Sequence, residues 1–440
     1  MKRLAGKFFT VHIQGCRTNQ YEGESIAAAL EAEGAVWRDE APDIAVIVTC
    51  TITAVADRKC RKLIRRARRE NPNAVIAACG CYAQKVTEEE RAALGIDIVA
   101  GNRLKHLLPE MIAARFDGAA PSIRIDANIE EENSWDALSL DRPRLHSRAF
   151  LKVQDGCSHY CAYCIVPYVR GRPVSRPFGA AVAEARRITE AGCPEIVLTG
   201  VHLGLYDRLP ELVRAIGSLP SLKRLRFGSI EPFAVDERLL EALAETPTFC
   251  PHLHMPLQSG DDGVLSAMKR GYTQQQYAAV VTRARAALGS ELHVSTDLMV
   301  GFPTEDDAAF KESLSFVKAT AFGKVHVFPY SPREGTPAAA MPQLCAASVR
   351  PRVDEALCAA EALHKNFCLR HAGQEAVILV EENAGGVVRG LTRNYIRVTG
   401  RAFAKINEET TLIPVKYSHE GLATEDAPED CAQTDEVSII

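Results

Sequence analysis

The sequence predicts an α/β protein in three parts: an N-terminal parallel α/β domain over residues 1–120, a larger domain of repeated βα units over 148–370, and a small all-β domain over 371–440. Three observations predict this. Short apolar runs alternate with helical patterns through the first 120 residues. Six further strand-then-helix units follow between residues 149 and 328. The tail then changes to β-branched runs separated by Gly, Asn and Glu.

In the first part residues 8–13, 44–49 and 74–78 read as strands, and the clearest helical patterns cover 25–33 and 58–70. That rhythm implies parallel strands buried on both faces. Residues 121–147 are polar and weakly periodic and read as a linker. The central strands are expected at 149–153, 195–198, 225–228, 253–257, 294–299 and 324–328, with helices at 180–190, 237–244 and 306–319 among those between them. Such a series fits an open barrel or a wound sheet. The β-branched runs at 375–380, 387–399 and 411–417 suggest a small barrel.

Composition bounds the function. At about 150 residues per domain the length suits three domains, and 47% apolar with 25% charged residues is ordinary for a soluble globular chain. The longest uncharged apolar-rich run, 44–56, is too short to span a bilayer. Lys7 interrupts any signal-peptide core. The expectation is a cytoplasmic protein with no membrane partner, whose 14 Cys are buried thiols or metal ligands rather than disulfides.

Eight of those Cys (60, 79, 193, 250, 345, 358, 368 and 431) are scattered and read as small apolar side chains. The other six form two triplets. Cys157, Cys161 and Cys164 make a Cys-x3-Cys-x2-Cys run just after the first central strand. With His159 as a fourth ligand that loop could hold zinc. As a three-Cys [4Fe–4S] site it would leave one iron open to a small molecule. Cys16, Cys50 and Cys81 match no short motif, but each lies just past the carboxyl end of a predicted parallel strand, where α/β sheets bind ligands. Spacing does not separate Cys81 from Cys79.

The Cys-x3-Cys-x2-Cys run with its following βα units resembles the radical S-adenosylmethionine (SAM) family, which implies an open (βα)6 barrel. The resemblance places Tyr163 near the adenine of SAM. Strand-end segments similar to that family's SAM contacts add Thr199, Gly200, Ser229, Glu231, Gln258 and Asp297. Each also has a reading as ordinary turn chemistry. Across nearly its whole length the chain resembles the methylthiotransferase family: a three-Cys N-terminal domain, a radical SAM core and a TRAM domain. Gln14-Gly15-Cys16-Arg17-Thr18-Asn19-Gln20-Tyr21-Glu22, Thr49-Cys50-Thr51-Ile52-Thr53, Ala56-Asp57-Arg58-Lys59 and Gly80-Cys81-Tyr82-Ala83-Gln84 are similar to the branch acting on threonylcarbamoyladenosine in tRNA. The Tyr-Ala-Gln after it selects Cys81 over Cys79. Tyr82 and Thr53-Ala54-Val55 differ from the isopentenyladenosine branch, and the ribosomal-protein branch is a weaker match. Val48 departs from the Asn usual before Thr-Cys.

The resemblance implies two [4Fe–4S] clusters, one at Cys157, Cys161 and Cys164 that reduces SAM to the 5′-deoxyadenosyl radical, and one at Cys16, Cys50 and Cys81 that carries sulfur. It implies a tRNA substrate methylthiolated at C2 of the adenine next to the anticodon, an electron donor of flavodoxin or ferredoxin type, and a sulfur source. An aromatic C2–H is not acidic enough for general-base chemistry, so no side-chain nucleophile is expected. Rival readings are an N-terminal cluster that only relays electrons, and a non-catalytic iron–sulfur RNA-binding protein.

Local charge points to RNA, although the net formal charge is −4. Between Arg58 and Arg69 lie eight basic residues and no acid, with Cys60, Leu63, Ile64 and Ala67 on one stripe. Arg61, Arg65 and Arg68 are the expected phosphate contacts. Arg172 is expected to bracket the reacting nucleotide with its neighbours Arg170 and Arg176. In the tail, Arg393, Tyr395 and Arg397 are expected RNA contacts, with Arg389 and Arg401 beside them.

Overall fold

Strands with no polar interruption must be covered on both faces, and the middle of the first sheet is built from such runs. The structure, a computed structural model, describes residues 2–126, 128–131, 133–418 and 421–428. Its first part runs β1 (Phe8–Ile13), α1 (Arg17–Ala32), β2 (Val36–Trp37), β3 (Ile44–Thr49), α2 (Ala54–Glu70), β4 (Val75–Gly80), α3 (Glu88–Leu94), β5 (Ile98–Ala100), α4 (Leu108–Phe116) and β6 (Ser122–Arg124). The strands are all parallel, in the order β2-β1-β3-β4-β5-β6. Every residue of β3 and β4 is buried. The order reverses between β1 and β3, which opens a crevice at the carboxyl ends of β1, β3 and β4.

Helix α1 starts at Arg17, well before the expected residue 25. Its first turns bury Thr18, Asn19, Tyr21 and Glu22, so no apolar stripe announces them. Helix α2 starts at Ala54 because Thr53 caps it, its hydroxyl accepting from the Ala56 N–H at 3.1 Å.

Segment 121–147 is more than a linker. It contributes β6 to the sheet, and Leu138 and Leu140 enter the main core. Asp136, 2% exposed, holds Lys105 and His106. Apart from β6 its described residues are irregular, and burial through polar partners makes the segment read as a mere linker. The main apolar core is continuous from Leu4 to Ala360, so the first two parts share one interior.

The central part runs β7 (Ala149–Lys152), β8 (Gln154–Asp155), α5 (Val166–Arg170), β9 (Val174–Ser175), α6 (Phe178–Glu190), β10 (Glu195–Thr199), α7 (Leu209–Gly217), β11 (Arg224–Phe227), α8 (Glu237–Ala244), β12 (His252–His254), α9 (Asp262–Ala267), α10 (Gln274–Leu288), β13 (His293–Val300), α11 (Asp307–Thr320) and β14 (Lys324–Pro329). Its six long-range strands pair in parallel as two triples, β7-β10-β11 and β12-β13-β14. The triples meet where the Ile230 N–H donates to the His254 carbonyl at 3.0 Å. This is the open barrel expected, wound in chain order.

Helix α12 (Ala346–Leu369) leads to β15 (Ala376–Ala384), β16 (Val387–Thr392), β17 (Arg397–Arg401), β18 (Glu409–Leu412), β19 (Lys416–Ser418) and β20 (Gly421–Ala423). They form one sheet, β18-β15-β16-β17-β20-β19, over a core that includes Phe367, Ile378, Val388 and Val398. The run expected as one strand at 387–399 breaks at Arg393-Asn394-Tyr395, where Tyr395 adopts φ +65°.

Cys60, Cys79, Cys193, Cys250 and Cys368 are buried, as small apolar side chains should be, but Cys345 and Cys358 are exposed. Cys431 lies outside the described residues. Among the described residues no helix is long and apolar enough to cross a membrane.

Candidate active site

The N-terminal triplet is stitched together by its own loops. Gly15, at φ +102°, passes so close to Cys50 that a Cβ there would lie 2.7 Å from the Cys50 Cβ and 3.0 Å from its Sγ. Only Gly permits this approach. Asn19 cross-braces the loops, donating to the carbonyls of Gln14 at 2.5 Å and Thr49 at 3.0 Å. The Cys81 N–H donates to that same Thr49 carbonyl at 3.1 Å. Val48, the departure from the resembled motif, is fully buried in β3, and the polar bracing there falls to Asn19. Cys79 is 0% exposed and packs in the main core, whereas Cys81 packs with Ile165 and Val169 of the central part. Geometry thus separates the two thiols that spacing could not.

The second loop begins at Gly156, φ +71°, where a Cβ would meet the Arg172 carbonyl at 2.0 Å. Arg270, 2% exposed, gathers this loop: it donates to Cys161 Sγ at 3.4 Å, to the Tyr163 hydroxyl at 3.3 Å and to Glu231 Oε2 at 2.5 Å. Tyr163 and Glu231 therefore belong to one site with the thiols. His159, the candidate zinc ligand, instead places Nε2 3.1 Å from the Arg270 carbonyl and stacks on Phe233.

The remaining strand-end residues fall into two groups. Thr199 ends β10 and Gly200 follows it, where Gln154 accepts from the His202 N–H at 2.7 Å. Ser229 follows β11. Gln258, at φ +74°, donates its N–H to the Asp297 carbonyl at 2.9 Å, and Asp297 Oδ2 lies 3.4 Å from His254 Nε2. Burial pushes the Asp297 carboxyl up, but His254 outweighs it and holds it below the ordinary carboxylate value.

The residues fit the groups the resemblance implies. Both ring nitrogens of His202 and Oε1 of Gln258 are buried with no hydrogen-bond partner among the described residues, a costly arrangement unless a polar ligand binds there. Burial lowers the His202 pKa, leaving a neutral ring with one donor and one acceptor. Burial likewise pushes the Cys50, Cys81, Cys161 and Cys164 thiols up, and Cys157 to about 11. Bound iron offsets that cost by withdrawing thiolate charge. Among the described residues no three Cys, His, Asp or Glu side chains are placed to hold a single metal ion.

Helix α5 joins the two triplets. It begins two residues after Cys164 and ends at Arg170, whose Nε donates to Cys81 Sγ at 3.1 Å. At about 1.5 Å per residue this helix spans only about 8 Å. Arg170 also donates to Glu22, Asp155 and Asn19. Lys152, Lys105 and Arg103 complete a buried ion network with Glu22, Asp155 and Asp136. Burial opposes the Glu22 carboxylate, yet Arg170, Lys105 and Lys152 hold it near about 2.

Several expected RNA contacts are corrected. Arg68 clamps the chain instead, donating to the carbonyls of Gly95, Pro72 and Ala74 and pairing with Asp97. Arg170 is buried in the network above, and Arg176 pairs with Glu184 and Tyr21. Arg393 docks the C-terminal sheet by donating to the Lys223, Pro247 and Phe249 carbonyls. Tyr395 stacks on His252 at 4.3 Å, with Arg17 and Arg148 on its hydroxyl. Burial raises its pKa, but Arg148, Arg17 and Arg226 pull it down to about 8. Arg61 lies over the Tyr82 ring, and Arg397 is half-buried on β17. Arg65 and Arg172 are exposed.

Residues 151–317 match the radical SAM superfamily model, and residues 8–101 match the model described as uncharacterized protein family UPF0004. Among relatives, the threonylcarbamoyladenosine tRNA methylthiotransferase MtaB of Bacillus subtilis is 35% identical, covering 88% of this chain and 89% of its own length. A tRNA-2-methylthio-N(6)-dimethylallyladenosine synthase of Cereibacter sphaeroides is 38% identical over 75% of this chain and 77% of its own. The radical S-adenosylmethionine methyltransferase TsrM of Kitasatospora setae shares the fold, with a TM-score of 0.57 at 16% identity over 76% of this chain and 77% of that one. The chain belongs to the methylthiotransferase family of radical SAM enzymes. It is a transferase of sulfur-containing groups, with SAM and [4Fe–4S] clusters as its cofactors.

Proposed function

We propose that the protein adds a methylthio group to C2 of N6-threonylcarbamoyladenosine next to the anticodon of a tRNA. The observation that carries the reading is the approach of the two thiol triplets across α5. Cys157, Cys161 and Cys164 would hold one [4Fe–4S] cluster with SAM, and Cys16, Cys50 and Cys81 the other. When bound, these groups supply one-electron cleavage of SAM, hydrogen abstraction from an unactivated C–H, and sulfur. The chain's residues position the reactants: Arg270 fixes Cys161, Tyr163 and Glu231, while His202 and Gln258 present unpaired polar atoms. A flavodoxin- or ferredoxin-type donor and a sulfur source complete the scheme.

The branch reading is supported by the motif around Cys81 with Tyr82, and by the Bacillus subtilis relative that spans most of the chain. The relatives named dimethylallyladenosine synthases favour a second reading, an isopentenyladenosine substrate. Purified holoenzyme offered tRNAs carrying one or the other modification separates the two. The proposal expects methylthio product from the threonylcarbamoyl tRNA; product from the isopentenyl tRNA alone would reverse it.

For the tRNA surface, Arg58, Lys59, Lys62 and Arg65 are exposed on α2. The helix begins four residues after Cys50, where Asp57 pairs with Arg333 and the Ala54 N–H donates to Ser331. With Arg172 and Arg397 these residues form the proposed contact set. Changing the four α2 cations to Gln should flatten the salt dependence of tRNA binding by roughly 0.7 to 0.9 in log–log slope per lost contact. Arg68→Gln should instead lower stability by about 1–3 kcal/mol, seen as a reduced denaturation midpoint. Equal slopes for the fourfold variant and parent, between about 50 and 200 mM salt, would mean the helix faces only water.

A further inference from the structure

We propose that Arg170 tunes the N-terminal cluster, donating its Nε–H to Cys81 and thereby raising that cluster's reduction potential. The inference rests on the reading that Cys81 is a cluster ligand. Arg170 is 1% exposed, and burying a guanidinium is costly wherever a donor is left unsatisfied. Glu22, Asp155 and Asn19 take Nη1 and Nη2, so both terminal nitrogens are bonded without help from sulfur. The Nε–H nevertheless goes to Cys81 Sγ at 3.1 Å.

Among the described residues neither of the other two thiols meets a charged donor: the Cys16 thiol itself faces Asn19 Oδ1 at 3.9 Å, and the Cys50 thiol takes a backbone hydrogen bond from Ile52. A donor on a ligating sulfur withdraws electron density and favours the reduced state. The surrounding charges act in the same direction. Four cations, Arg103, Lys105, Lys152 and Arg170, stand against three carboxylates, Glu22, Asp136 and Asp155, so the buried network carries a positive surplus beside the thiols. The donor also belongs to the opposite site. Arg170 ends the helix that leaves Cys164, so a shift of the SAM-binding loop is carried directly to Cys81. Arg170 is thus a positioning residue acting through Cys81, with the redox state of one site tied to the geometry of the other.

The test is an anaerobic redox titration of the reconstituted full-length protein, followed by electron paramagnetic resonance. Arg170→Lys keeps the charge and loses the Nε–H. The double variant Arg170→Met with Glu22→Gln loses the donor while keeping the positive surplus, so the network stays compensated if the single variant fails to fold. Both should retain about eight irons, with the N-terminal midpoint moved to more negative potential and the SAM-binding cluster's midpoint unchanged as internal reference. An unchanged N-terminal midpoint in iron-replete variants would overturn the inference. A parent protein with only about four irons would instead remove the second cluster, and the inference with it.

Discussion

Replacing Cys157, Cys161 and Cys164 together by Ala should leave about four irons per reconstituted chain where the parent holds about eight, and SAM cleavage should be lost. The effect is large because the two thiol sets are held by different elements. The N-terminal set stands on β1, β3 and β4, braced by Asn19 and by the close passage of Gly15. None of those contacts uses a side chain of the 157–164 loop. Iron analysis and the absorption spectrum read the result. A folded triple variant with no iron would remove the second-cluster assignment, and one that still cleaved SAM would remove the first.

Cys81→Ala should abolish methylthio transfer while SAM is still cleaved, because the proposed scheme gives the two triplets separate steps. Cys79→Ala should spare both. The two positions are separated only by Gly80, yet Cys79 is sealed in the core and Cys81 faces Ile165, Val169 and Arg170. Truncating Cys79 costs packing alone, about 1 kcal/mol. Product nucleoside and 5′-deoxyadenosine, measured in the same reactions, separate transfer from cleavage. Loss of the N-terminal iron in Cys79→Ala would exchange the two assignments.

The placement of the cysteines was legible because it is local: three thiols in one loop, and three at the ends of apolar strands whose parallel pairing the pattern implies. The strands were legible for the same reason, since burial on both faces demands continuous apolar runs. Arg170 was misread as a nucleotide contact because its partners Glu22 and Asp155 come from elements that sequence distance does not connect. Arg393 and Tyr395 were misread similarly, their partners lying on β11, β12 and the adjoining loops of another domain. Arg68 carried a usable signal. It follows Ala67 and lies one turn beyond Ile64, both buried, so helical geometry already put it at the docked edge while Arg65 points away. The motif residues Thr53 and Asp57 proved to be a helix cap and an interdomain ion pair, roles that suit any substrate. Their presence supports membership of the family more than choice of branch.

Substrate identity is therefore the central claim, and mass spectrometry of tRNA nucleosides from a strain lacking this gene, with and without a plasmid copy, tests it most directly. The account predicts that 2-methylthio-N6-threonylcarbamoyladenosine disappears in the deletion, that its unmethylthiolated precursor accumulates, and that the plasmid restores the product while a Cys81→Ala copy does not. Loss of the 2-methylthio isopentenyladenosine nucleoside instead, with the threonylcarbamoyl product intact, would contradict it.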